Sequence, residues 1–142
     1  MILDTTYFLP LIGIDVDENL LLAIDEGRAG IDYSDIELSL ITIFELQAKA
    51  SKLGINSEEV VRGINAILRS FKVIPFYEPE IVKIASQLRK LLKDYIDCIV
   101  VATAIIHGKE LVTEDTDILA IKDKLRKEYN LRIYNYRNLM KK

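Results

Sequence analysis

The chain has 142 residues, half of them hydrophobic and 29% charged, with a formal net charge of −3. That length fits a single domain spanning residues 1–142, able to bury roughly two thirds of its unfolded surface, and no Gly-, Ser- or Pro-rich stretch marks a linker or disordered tail. One cysteine, Cys98, and one histidine, His107, exclude an internal disulfide and a zinc site of ordinary composition.

MILDT reads as a short buried strand, followed by a helical or turn segment, TYFLPLIG, broken by Pro10 and Gly13. Asp17 is placed to cap a helix over ENLLLAIDEG that ends at Gly27. IELSLIT, residues 36–42, is a second strand candidate. From Thr42 the pattern turns helical, with Ile43, Leu46, Ala50 and Leu53 on one side and Gly54 as the stop. Another helix begins after Asn56 or Ser57 and runs to about Phe71, and KVIPF is a short strand. Residues 79–92 form an amphipathic helix with a proline in its first turn, where proline is tolerated. DYIDCIVVATAIIHG, residues 94–108, is an apolar helix headed by acids and closed by Gly108. The strand ELVT, a charged helix over roughly 116–128, the strand LRIYN and a short terminal helix complete the chain. The uncharged run Cys98 to His107 is about half the ~20 residues needed to cross a bilayer, so it reads as a core helix. The opening MILDTTYFLPL lacks the basic region of a secretory signal, and a cytoplasmic location is expected.

Apolar strands alternating with helices argue for an α/β fold, with a central parallel sheet of four to five strands sandwiched by helices. Ligands in such folds bind beyond the carboxyl ends of the strands. That rule selects Asp4 after the first strand, Asp115 and Asp117 after ELVT, and Glu45 early in the helix after the second strand. Asp97, one turn into its helix, can face the same rim.

Carboxylates at close range repel, so a shared cluster needs counter-charge. Mg²⁺ or Mn²⁺ supplies it through oxygen ligands, and two such ions about 4 Å apart can activate a water and stabilise the leaving oxygen in phosphodiester cleavage. Each acid also has a local structural role open to it. Thr42 and Glu45 stand at capping-box spacing. Asp94 can cap the apolar helix, leaving Asp97 at a position that the helix dipole favours. Asp115 or Thr116 can cap the helix that follows.

The stretches ILDTTY, ITIFELQAKA, DCIVVATAIIHG and LVTEDTDI, in this order and spacing, resemble PIN-domain nucleases, and within them the small VapC-type ribonucleases. The resemblance covers nearly the whole chain. It implies a PIN fold and Mg²⁺- or Mn²⁺-dependent cleavage of RNA, with Asp4, Glu45, Asp97 and Asp115 matching the family's four acids. Asp117 matches an additional acid, and Thr6 and Thr113 match hydroxyl positions beside the cluster. Ile118 departs from the aromatic that many relatives carry there, which bears on packing. VapC-type proteins are commonly toxins held inactive by an antitoxin, and they often dimerise; a homodimer and an antitoxin partner are expectations from the resemblance alone.

Two rivals stand beside this reading. A Toprim-like Mg²⁺-dependent phosphoryl-transfer domain would use Asp4 and Asp115 to Asp117 and leave Glu45 and Asp97 as helix caps. A catalytically silent PIN scaffold would bind RNA or protein without cutting. Charge adds a further cue: residues 1–45 hold ten acids against one base, and residues 120–142 hold eight bases against two acids, interleaved with Tyr129, Tyr134 and Tyr136. Such a tail can contact RNA, but an ordinary charged helix followed by a terminal strand is the favoured account of it. His107 is expected at a helix C-terminus and Cys98 in the core. No Gly-rich phosphate loop is present.

Overall fold

Five short parallel strands carry the fold in a computed structural model that describes every residue, Met1–Lys142. They are β1 (Ile2–Leu3), β2 (Glu37–Ser39), β3 (Lys72–Ile74), β4 (Leu111–Val112) and β5 (Ile133–Tyr134), in the order β3-β2-β1-β4-β5. Every ladder is parallel, with Ile2 opposite both Glu37 and Leu111. All carboxyl ends therefore open on one rim. The chain builds to one side of β1 through β2 and β3, then returns to the other side through β4 and β5, so the topology reverses between β1 and β4.

Successive strand residues point to opposite faces, and the sheet as a whole feeds two apolar layers. Leu3, Leu38 and Val112 enter one layer, closed by a 3-10 helix (Thr5–Ile12) and by α1 (Leu20–Asp25), α2 (Leu40–Leu53) and α3 (Ser57–Ser70). Ile2, Ile74, Leu111 and Ile133 enter the other, closed by α4 (Pro79–Leu88), α5 (Tyr95–Ile106), α6 (Thr116–Ala120) and α7 (Lys122–Tyr129). A last helix, α8 (Tyr136–Leu139), contributes Leu139 to the first layer. The result is the expected α/β/α sandwich. No helix is long and apolar enough to cross a membrane.

Local chemistry moves several element ends from where the sequence pattern puts them. Asn19, not Asp17, caps α1, accepting from the Leu22 N–H at 3.0 Å. Helix α2 starts at Leu40 rather than Thr42 because the Ser39 hydroxyl accepts from the Ile41 N–H at 3.2 Å. The capping box expected of Thr42 and Glu45 is therefore absent, and Glu45 falls in the second turn. Leu53, expected on the buried side of α2, is 61% exposed, whereas Ile43, Leu46 and Ala50 are buried. The charged helix breaks at Ile121 into α6 and α7. Tyr134 ends β5 and Tyr136 begins α8, so the two do not share a strand, though both pack against the first layer.

Glycine is required at one helical position. A Cβ on Gly63 of α3 would lie 2.3 Å from the Leu11 carbonyl oxygen and 2.8 Å from Ile12 Cγ2, so α3 rests directly on the 3-10 helix there. Alanine gains about 1 kcal/mol of intrinsic helix propensity over glycine, but it would have to push backbone away. We expect Gly63→Ala to destabilise the fold by up to about 2 kcal/mol net, since overpacking in a core costs ~1–3 kcal/mol and the helix gain offsets about 1 of it; a denaturant melt showing greater stability than wild type would contradict this contact.

Candidate functional site

Beyond the carboxyl ends of β1 and β4, at the point where the topology reverses, lies a cavity of about 340 Å³ with no hydrophobic residue in its wall. Four segments distant in sequence contribute Asp4, Glu45, Asp97 and Asp115, joined by Asp94, Glu114, Lys49, Thr5 and Thr6. Crevices at such reversals are where open α/β sheets bind ligands.

Asp4 follows β1 directly and caps the 3-10 helix, with Oδ1 accepting from the Thr5 N–H at 2.8 Å. Its Oδ2 accepts from the Thr113 hydroxyl at 2.7 Å. The same Thr113 oxygen accepts from the Asp115 N–H at 3.0 Å, so one buried hydroxyl couples the two strand ends. Burial raises the Asp4 pKa above the usual carboxylate value and the Asp115 charge adds to it, while the two hydrogen bonds and Lys49 oppose the shift. Asp115 caps α6 by accepting from the Ile118 N–H at 3.0 Å.

Glu45 projects from α2. Its Oε1 accepts from the buried Thr5 hydroxyl at 2.5 Å. Its pKa is raised, mainly by burial and further by Asp4, against the pull of that hydrogen bond and of Lys49. Asp97 occupies the third position of α5, and Asp94 supplies the cap, accepting from the N–H groups of Ile96 and Asp97 at 2.8 and 3.2 Å. No side-chain hydrogen bond satisfies the Asp97 carboxylate. Burial first, then the charges of Asp115, Asp94, Asp4 and Glu45, push its pKa up to about 7. This is the signature of a group held among like charges.

Two sequence expectations need correction. Asp117 is exposed and does not line the cavity: it stands two residues after the cap of α6, and two residues on a helix turn a side chain by about 200°. Thr6 lines the wall, but it is Thr5 that donates to Glu45. Thr113 takes the expected place beside Asp4. Sequence reading missed Glu114, whose Oε2 accepts from the Tyr7 hydroxyl and from the Tyr136 N–H at 2.8 Å, tying the loop after β4 to the 3-10 helix and to α8. It also missed Lys49, Asp94's place in the wall and the Thr5 contact. Only the i, i+4 spacing of Glu45 and Lys49 offered a signal. His107 ends α5 as expected and also meets Glu78, Nε2 to Oε1, at 3.2 Å; Cys98 is buried.

The donor set is all oxygen and strongly acidic, which suits a hard divalent cation. No three of the carboxylates are drawn into a closed ligand shell. Mg²⁺ takes only one or two carboxylates directly and keeps several waters, so an open, oxygen-lined cavity is compatible with it. Asp4, Asp97 and Asp115 line that cavity from the ends of β1, α5 and β4.

Comparison with solved structures finds the same architecture. A chain of a toxin-antitoxin complex from Klebsiella pneumoniae is 26% identical, with 84% of this chain and 91% of that one aligned and a TM-score of 0.61. FitAcB from Neisseria gonorrhoeae aligns over 97% and 99% at 24% identity and a TM-score of 0.68. VapBC2 from Rickettsia felis, bound to a DNA fragment from their promoter, aligns over 94% and 96% at 23% identity and 0.63. No curated protein matches significantly. Glu45 and Asp97 line the acid cavity instead of serving as helix caps, which removes the basis of the Toprim-like reading. The model of the PIN domain matches residues 1–124, most of the chain, and the chain therefore belongs to the PIN domain family, whose members are nucleases.

Proposed function

We propose that this chain is a single PIN domain, residues 1–142, acting as a Mg²⁺- or Mn²⁺-dependent endoribonuclease. The observation that carries the reading is the convergence of four acids from separate segments on one polar cavity, with Asp97 held near a pKa of 7. PIN nucleases generally use divalent metals such as Mg²⁺. Bound there, the cation would supply charge neutralisation and activation of water toward a phosphodiester.

The chain's own residues do the rest. Asp4, Asp97 and Asp115 form the cation-holding edge. Glu45 faces them from α2, ready to hold a water or a second ion. Thr113 fixes Asp4 and the turn carrying Asp115, and Thr5 fixes Glu45, so the carboxylates are oriented before ligand arrives. The toxin–antitoxin character of the structural neighbours supports a further part of the proposal, a toxin of VapBC type restrained by an antitoxin; that it works as a homodimer in the cytoplasm is proposed from the family resemblance alone.

The direct test is cleavage of labelled RNA by purified protein with Mn²⁺. Asp97→Asn should reduce the rate by at least ~100-fold, and chelator should abolish it. Cleavage that survives both would sink the assignment.

A second test reads binding without activity. Because the Asp97 pKa is higher folded than unfolded, the folded state holds more protons between about pH 4 and its pKa of about 7, and stability falls as pH rises through that window. At pH 8 without metal, Asp97→Asn should therefore melt several degrees above wild type, with the gap closing below about pH 4. Mn²⁺ should raise the melting temperature of wild type and not of the variant; equal metal stabilisation of both would show that Asp97 holds no ion.

A further inference from the structure

Lys49 is the only basic side chain in the wall of the acid cavity. It lies one turn beyond Glu45 on α2, the spacing at which a lysine commonly pairs with a preceding glutamate. It makes no such pair. Its ammonium has no carboxylate within 4.0 Å, although ion pairs form elsewhere on the surface, and it enters no hydrogen bond. Glu45 is instead held by Thr5, which leaves Lys49 exposed in the cavity wall, acting on Asp4 and Glu45 only through space and with no direct partner for its ammonium.

The charge balance of the wall makes such a cation necessary for an anionic substrate. Six carboxylates and one ammonium give the wall a formal charge of −5 when all are ionised, and two divalent cations would bring it only to −1. An RNA phosphate arriving at a wall of that sign needs a positive group of its own. Lys49 suits this role: an exposed, flexible four-carbon stem ending in a point charge is the form in which lysine contacts phosphate.

We propose that Lys49 is the phosphate-binding residue of this site, its ammonium donating to a non-bridging oxygen of the RNA phosphate that lies against the acid cluster. The inference rests on the ribonuclease reading for its substrate, but its binding readout is separate. Lys49→Met keeps a good helix former at an exposed position, and Lys49→Arg keeps the charge. With RNA and Mn²⁺, Lys49→Met should lose about 10- to 100-fold in kcat/KM, mostly through KM, and Lys49→Arg should recover most of it. Calorimetric Mn²⁺ affinity of Lys49→Met should equal or exceed that of wild type, because a repelling charge has gone.

Binding of a labelled single-stranded oligoribonucleotide in Ca²⁺, followed by anisotropy across a salt series, supplies the second readout. The slope of log affinity against log salt should fall by ~0.7 in Lys49→Met, the value for one lost phosphate contact. If wild type binds RNA with this Lys49-dependent slope yet cuts nothing, the ribonuclease reading falls and the phosphate assignment stands. If Lys49→Met matches wild type in affinity, salt slope and kinetics, Lys49 is only a surface charge and the proposal is overturned.

Discussion

Mutual repulsion among carboxylates at the reversal point of the sheet is the constraint on which the rest of the molecule turns. Strand order places Asp4 and Asp115 side by side, one at the end of each neighbouring strand, and α2 and α5 both begin at that rim and add Glu45, Asp94 and Asp97. Left alone, such a group would spread apart or take up protons. Burial first, and the neighbouring charges after it, raise the pKa values of Asp4, Glu45 and Asp97. What keeps the acids together is a framework built for other reasons: two apolar layers packed against a sheet whose strands are only two or three residues long.

Short polar contacts convert that framework into orientation. Thr113 touches both strand ends at once, because a single hydroxyl can donate to one group and accept from another. Asp4, Asp94 and Asp115 each cap a helix, which satisfies backbone N–H groups while keeping a carboxylate at the rim. Capping a helix and lining the acid cavity are thus not competing roles here. A cap accepts with one oxygen, and the other is left for the cavity or, in Asp4, for the hydroxyl that aims it.

Much of this could be read from the chain. Strand positions, the parallel sheet and the acids at its rim followed from apolar runs and from where acids interrupt them, since burial leaves a strong mark on sequence. What could not be read was rotation about a helix start. The residue that caps is decided by local hydrogen bonding, and Ser39 and Asn19 won over Thr42 and Asp17 through contacts that periodicity does not encode. Once the start of α2 shifts, Glu45 moves from a first-turn capping partner to a second-turn group facing the cavity. The same geometry turns Asp117 outward although it sits two residues from Asp115. Thr5 and Glu114 stayed invisible for a different reason: their partners, Glu45 and Tyr7, lie 40 and 107 residues away, and no local pattern announces a contact of that range.

The two helices that deliver Asp97 and Glu45 differ in how firmly they hold them. Helix α5 is apolar around its whole circumference, with Cys98 through Ala104 all buried, so its axis is fixed by packing on every side. Asp97 at its head has no side-chain hydrogen bond to its carboxylate, and burial and the surrounding acids push its pKa up to about 7. Helix α2 buries only one side, with Phe44 and Leu53 more than half exposed, and Glu45 sits on a longer side chain steered by a single hydroxyl. Packing of the whole helix therefore holds Asp97 in place, whereas Glu45 is held by the hydrogen bond from Thr5, so the two sides of the cavity are fixed by different means.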